Sequence, residues 1–337
     1  MNAAERFRRA RVLTGMILLA LTALTVTVTI LLYACGQGMY DAFIARPDVA
    51  PEDSPLTGKT FSGERLAWRE LYMEEQWTIR TADGLTLVSE YTRPPEERED
   101  SHAWVLLASG IHGRELYLED MVIDLHRRGC HVLSVHLRAH GASEGDALGL
   151  GYRDKTDILS WVRRVETADP EAKIVLYGFS SAAAAMLMAA PEAPPSVTGI
   201  VSDSAFTRFD QELNYLLRER YGLPVFPLTL AGNLACYRAQ GFWFGDADAK
   251  TALETARVPI LFFHGGADDY VPPEMAGELY EAAPGNPPLE GSSAGDKTLL
   301  IVPGASHCRA RDSDPDAYWA LLNSFLTWRL RLDAESP

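Results

Sequence analysis

Basic charge is scarce in this chain of 337 residues: 31 lysines and arginines stand against 46 aspartates and glutamates, a net charge of −15. Such a balance leaves no broad basic face for a phosphate backbone, so nucleic acid is excluded as the expected partner. Cysteine is scarce too. Cys35, Cys130, Cys236 and Cys308 show neither a metal-ligand spacing nor the density of a disulfide scaffold, and no metal is expected. No internal repeat is evident. The apolar fraction of 47% is ordinary and furnishes a sizeable core, and open α/β enzymes of this length often form one body.

Charge is absent altogether from Val12 to Ala34, a run long enough to cross a bilayer as a helix. It follows a basic stretch, residues 1–11, in which Arg6, Arg8, Arg9 and Arg11 face only Glu5. Arginines before an apolar run favour retention on the cytoplasmic side and place the rest of the chain outside. The expectation is a single-pass anchor over 12–34 in the cell membrane, with the folded part extracytoplasmic. A cleaved signal peptide competes, though its apolar region is normally shorter. Lipidation at Cys35 is a further alternative, as Leu32-Tyr33-Ala34-Cys35 loosely resembles a lipoprotein cleavage site.

Residues 35–70 read as a juxtamembrane linker and 71–333 as the folded domain. A hairpin is expected around Asp83-Gly84, between Gln76–Arg80 and Leu85–Thr92. Strands are then expected over Ala103–Ala108, His131–His136, Lys173–Tyr177, Gly199–Val201, Pro259–His264 and Thr298–Val302. Helices alternate with them over Glu115–Arg128, Arg153–Val165, Ala182–Ala190 and Pro315–Leu330. That alternation predicts an α/β fold, a mostly parallel sheet covered on both faces. Phe206–Glu254 breaks the rhythm with aromatics, prolines and helical fragments between two strands. Residues 206–254 therefore read as a lid, whose Tyr215, Tyr221, Phe226 and Trp243 could line an acyl pocket or simply pack.

Gly178-Phe179-Ser180-Ser181-Ala182 joins a strand to an alanine-rich helix, the layout of a nucleophile elbow. Small residues at 178 and 182 let the chain turn sharply beneath Ser180. A serine hydroxyl is a poor nucleophile until a base takes its proton. His307, after the last strand, is placed to be that base. Asp268, after the penultimate strand, is placed to orient the imidazole. Asp269 and Asp203 are the competing acids. An oxyanion would need backbone N–H donors, expected from Ser181 and Ile111, each worth about 3 kcal/mol. Cys308 reads as packing.

The chain resembles the serine α/β-hydrolases, in particular the membrane-anchored bacterial branch grouped with serine aminopeptidase-like and monoglyceride-lipase-like hydrolases. The residues that carry the resemblance are Arg138-Ala139-His140-Gly141-Ala142-Ser143-Glu144-Gly145, the elbow, Gly241-Phe242-Trp243-Phe244, and the loops bearing Asp268 and His307. It implies an α/β-hydrolase fold with a helical lid, preceded by one transmembrane helix, and Ser180, Asp268 and His307 as the triad. His140 belongs to a loop that shapes the site in that family. The chain departs from the family in two places, with Ser109-Gly110 where His-Gly is usual and Ala182 where glycine is.

The expected activity is cleavage of carboxylic esters through an acyl-enzyme, without cofactor, on a small-molecule or lipid-like substrate near the membrane. The same triad would also serve a peptidase, an amidase or an acyltransferase. A membrane-tethered binding module without catalysis is the remaining reading.

Overall fold

Every segment expected to be a strand pairs into one sheet of eight, in the order β1-β2-β4-β3-β5-β6-β7-β8. The computed structural model describes residues 3–46, 71–98, 100–110, 115–284 and 297–332. β1 (Met73–Arg80) and β2 (Thr86–Thr92) form the anticipated antiparallel hairpin, and β2 also runs antiparallel to β4 (His131–Val135). β3 (Ala103–Ala108), β4, β5 (Lys173–Phe179), β6 (Val197–Asp203), β7 (Ile260–Gly265) and β8 (Lys297–Val302) are mutually parallel. All six residues of β3 are buried, as are all six of β7. Their unbroken apolar runs follow from that, because a parallel strand covered on both faces has no polar side to present.

Among the described residues the sheet is joined by the α-helices α1 (Ala3–Phe43), α2 (Glu115–Arg127), α3 (Asp154–Ala168), α4 (Ser181–Ala189), α5 (Phe209–Tyr215), α6 (Val225–Gln240), α7 (Ala249–Leu253), α8 (Pro273–Ala282), α9 (Ala310–Ser313) and α10 (Pro315–Leu330). Leu118, Met121, Val122 and Leu125 of α2 share one core with Tyr318, Leu322 and Leu326 of α10. Ile158, Trp161 and Val162 of α3, Ala182 to Ala189 of α4 and Leu279 of α8 form the core on the opposite face. α4 is rich in alanine because it is buried all round, and longer side chains would hold it off the sheet. α10 starts where the Asp314 carboxylate accepts from the N–H of Ala317, with Pro315 in its first turn.

Between β6 and β7 the chain makes α5, a π turn over Leu216–Arg220, α6 and α7. No strand occurs among them, and β6 pairs directly with β7 across this insertion. α8 carries little periodic signal in the sequence. Its buried Met275, Ala276 and Leu279 give only a short helical period, directly after a segment read for its aspartates.

The uncharged run lies in α1, whose 41 residues span about 60 Å, twice the roughly 30 Å of a hydrocarbon core. None of its most apolar stretch is buried against the protein. From Gly36 onward one face is buried. The chain from 35, read as linker, instead begins with residues that pack: Met39 and Ile44 join the core, and the Tyr40 hydroxyl accepts from Gln240 Nε2 at 2.7 Å. Arg46 donates to the carbonyls of Gly141 (2.9 Å) and Ser143 (2.9 Å). Tertiary contact, which an apolar count cannot register, carries the helix past Ala34.

Candidate active site

The loops after β3, β5, β7 and β8 gather at the carboxyl ends of the parallel strands. The sheet order changes direction there, since β3 has β4 on one side and β5 on the other. Open α/β sheets hold ligands in that crevice.

Ser180 follows β5 in a turn with φ 56° and ψ −126°, a positive-φ backbone that costs a non-glycine residue about 1–3 kcal/mol. Neighbouring backbone holds it there. Its N–H donates to the Asp203 carbonyl at 2.8 Å, and its carbonyl accepts from Ala184 at 3.1 Å. A Cβ on Gly178 would come within 2.6 Å of Ala183 backbone, so glycine is required two residues before the serine. Ala182, where glycine is commoner, is fully buried and fits.

His307 follows β8 and Asp268 follows β7, and the loops that carry them are zipped together. Gly266 donates to Val302 O at 2.7 Å and Ala267 to Ala305 O at 2.9 Å. A Cβ on Gly265 would run into the carbonyl oxygens of Ala305 and Ser306, so only glycine allows this approach. The outcome is a row: Asp268 Oδ2 lies 2.7 Å from His307 Nδ1, and His307 Nε2 lies 2.9 Å from Ser180 Oγ. The carboxylate can only accept, which assigns the proton to Nδ1 and leaves Nε2 to accept from the Ser180 hydroxyl.

Asp268 is buried, and burial by itself opposes ionisation. Hydrogen bonds and charge from His264 and His307 outweigh it and hold the carboxyl well below the usual carboxylate range. The N–H groups of Tyr270 and Val271 also donate to Oδ1, each at 2.9 Å. The competing acids are elsewhere. Asp269 is exposed and paired with Arg220 at 3.1 Å. Asp203 lies under the elbow, accepting from Ser204 Oγ at 2.9 Å and Tyr318 Oη at 2.8 Å.

Ser181 opens α4, and the first N–H groups of a helix have no carbonyl ahead of them. The space beside this one is kept by Gly110, where a Cβ would meet Ser181 N at 2.9 Å and Ser180 Cβ at 2.8 Å. Ile111, the other expected donor, lies outside the described residues. His140 bonds the Arg138 carbonyl at 2.9 Å. Arg138 grips Asp157 through two donors (2.7 and 2.8 Å) and reaches Asp83 at 2.9 Å. That part of the motif therefore ties α3 to the β1–β2 turn. No two of the four cysteines are bridged, and burial holds the Cys308 thiol well above its ordinary range.

Three features of the site carry no short-range signal in the sequence. Tyr177 bonds Tyr318, which bonds Asp203, a buried chain linking β5, β6 and α10. His264 donates from Nε2 to the Val271 carbonyl at 2.9 Å, with Asp268 Oδ2 at 3.3 Å from the same nitrogen. Glu212 on α5 is buried with no hydrogen bond among the described residues to hold it ionised. Burial, reinforced by the charge of Asp268, pushes its carboxyl up to about 8.

The model of a family described as the alpha/beta hydrolase family matches residues 102–321. The uncharacterized protein YqkD of Bacillus subtilis is 26% identical over 200 residues, 59% of this chain. The match spans 62% of that relative, less than two thirds of its length. An uncharacterized membrane protein of Saccharomyces cerevisiae, YNL320W, is 25% identical over 255 residues, covering 75% of this chain and 79% of its own. Among solved structures, the Pyrococcus furiosus esterase Pf2001 superposes with a TM-score of 0.63 at 19% identity, over 86% of this chain and 98% of that one. The esterase domain of a Rhodothermus marinus protein gives 0.51 at 21% identity, over 77% and 98%. At those identities the likeness is one of fold.

Proposed function

The chain belongs to the alpha/beta hydrolase family, and on that premise we propose that it is a serine hydrolase cleaving carboxylic esters through an acyl-enzyme. The observation that carries this reading is the unbroken row from Asp268 through His307 to Ser180. In the proposed reaction Ser180 Oγ attacks the ester carbonyl as His307 Nε2 takes its proton. The N–H of Ser181, together with that of Ile111, receives the charge that builds on the carbonyl oxygen. His307 then protonates the departing alcohol, and a water activated by the same nitrogen releases the acid. Asp268 stabilises the imidazolium at each stage and keeps its own charge.

The proposed setting is a membrane, with α1 as a retained anchor and Arg6, Arg8, Arg9 and Arg11 on the cytoplasmic side. The insertion acts as a lid, and its aromatic content together with this setting favours hydrophobic or acyl-lipid-like esters.

The test is labelling of the full chain by a fluorophosphonate, beside hydrolysis of a p-nitrophenyl ester series. The expected result is one adduct, on Ser180, and turnover abolished by Ser180→Ala. Equal turnover in the variant would sink the mechanism, and faster cleavage of aminoacyl anilides than of any ester would move the reading to a peptidase. The loop geometry makes a second prediction. Gly265→Ala forces the loops of Asp268 and His307 apart, which should lower kcat by about 10- to 100-fold. Circular dichroism and Tm check it: kcat unchanged beside a lowered Tm would mean that both loops shift as one piece.

A further inference from the structure

α1 packs along α6 of the insertion, and the two helices run antiparallel. A Cβ on Gly36 would lie 2.7 Å from Ala231 O, and one on Gly232 would lie 2.9 Å from Met39 Cβ. Glycines at both positions let the backbones approach closely. Phe43 meets Tyr221 near the start of α6, with ring centroids 6.0 Å apart. At the other end the Arg238 guanidinium sits 5.8 Å from the centre of the Tyr33 ring. Tyr33 is the penultimate residue of the expected span 12–34, so the C-terminal end of α6 is level with the point where that span ends.

Beside the exposed Arg238, α6 and the turn that follows it show apolar and aromatic side chains at this level. Leu234 is 49% exposed, Tyr237 48% and Trp243 37%. Tyr237 and Trp243 stack on each other with centroids 4.2 Å apart, outside the core. Leu234 and Tyr237 are one turn apart on one side of α6, whereas Ala231 and Gly232, which meet α1, are buried on another. Stacked Tyr and Trp beside an arginine match the headgroup boundary of a bilayer, where amphipathic rings and a guanidinium each keep a polar end in water.

We propose that this end of the insertion is a second membrane contact, in which Leu234, Tyr237, Arg238 and Trp243 rest in the headgroup region of the bilayer that α1 enters. The inference rests on the anchoring reading above and extends it. The anchor and the roof of the site share a packed face, so the bilayer that holds one also orients the other.

The experiment uses the full chain in phosphatidylcholine vesicles whose acyl chains carry bromine near the headgroup end. Flotation with the vesicles reports the anchor. The fluorescence difference between the parent chain and Trp243→Phe isolates Trp243, and bromine should quench that difference by about half or more. In the same vesicles, the double variant Leu234→Asp with Tyr237→Asp should lose about tenfold in kcat/KM toward a vesicle-borne long-chain ester. It should keep its rate on a short soluble ester, since neither side chain belongs to the catalytic row. A chain that floats with Trp243 unquenched overturns the proposal and leaves the anchor standing. A dimer with Trp243 unquenched assigns the patch to a second copy, which also overturns it. Failure to float removes the anchor, and the proposal falls with it.

Discussion

Asp268→Asn lowers kcat for ester hydrolysis by about 10⁴-fold and leaves the chain folded, if the row of three residues works as proposed. An asparagine can keep the acceptor that receives Tyr270 N–H and Val271 N–H, but its other polar atom becomes an NH₂ group facing His307. That group donates, so Nδ1 has to accept and the ring proton moves to Nε2. A protonated Nε2 cannot take the proton of Ser180. The loss therefore falls on the chemical step, and KM changes little. Asp269→Asn, one residue along, removes only an exposed pair with Arg220 and should change kcat less than about twofold. Stability separates the two further. The folded-state pKa of Asp268 is depressed, so its ionised form contributes stability that is present above the unfolded value near 3.8 and lost as pH falls through the folded one. That contribution is intact at neutral pH, and Asp268→Asn forfeits it there. Steady-state kinetics and thermal unfolding of both variants check the pair. Retention of more than about a tenth of the activity in Asp268→Asn would move the acid elsewhere, and Asp203, already beneath the elbow, is next in line.

The parts of this molecule legible in its sequence are those written in local patterns. Strands β3 and β7 stood out as apolar runs because both faces are covered, and the elbow stood out because Gly178 has no room for a side chain. Ser180, His307 and Asp268 were readable because each follows a strand, and parallel strands deliver such loops to one edge. What escaped was set by contacts between distant segments. Nothing near Gly36 announces that it meets Ala231, nearly two hundred residues on, so the helix was expected to end with the apolar run. Tyr177 and Tyr318 look like core aromatics until β5 and α10 bring their hydroxyls together, with that of Tyr318 donating to Asp203. The sequence favours Asp268 as the acid and keeps Asp269 and Asp203 as competitors. Adjacent residues on a loop differ in direction, and only the fold assigns that.

Glu212 belongs to the same class: its position on α5 looks like an ordinary helical glutamate, and its chemistry depends on burial near Asp268. Its expected signature is a pH-dependent loss of stability that Glu212→Gln removes. The carboxyl sits at about 8 in the folded chain and near 4.5 when unfolded. Between those values the native state holds a proton that the unfolded state has released, so stability falls as pH rises. Below pH 4.5 both states are protonated and the penalty vanishes. Above pH 8 it is complete, roughly 5 kcal/mol from the separation of the two values. Glutamine occupies nearly the same volume and never ionises. The variant should therefore match the parent at pH 4 and exceed it by several kcal/mol at pH 9. At about 2–4 °C per kcal/mol, that is a gap in Tm on the order of 10 °C. Thermal unfolding of the full chain in detergent across that range measures it directly, and parallel curves would show that Glu212 is solvated or paired in the folded state. The sign also bears on the chemistry. At neutral pH a protonated Glu212 adds no second negative charge near Asp268, so the imidazolium that forms on His307 is stabilised by one carboxylate in a fixed place. Above pH 8 Glu212 is ionised beside Asp268 and Tyr270, and the parent chain carries the whole of that penalty. Glu212→Gln removes that penalty, and the folded range of the variant should extend to higher pH than that of the parent.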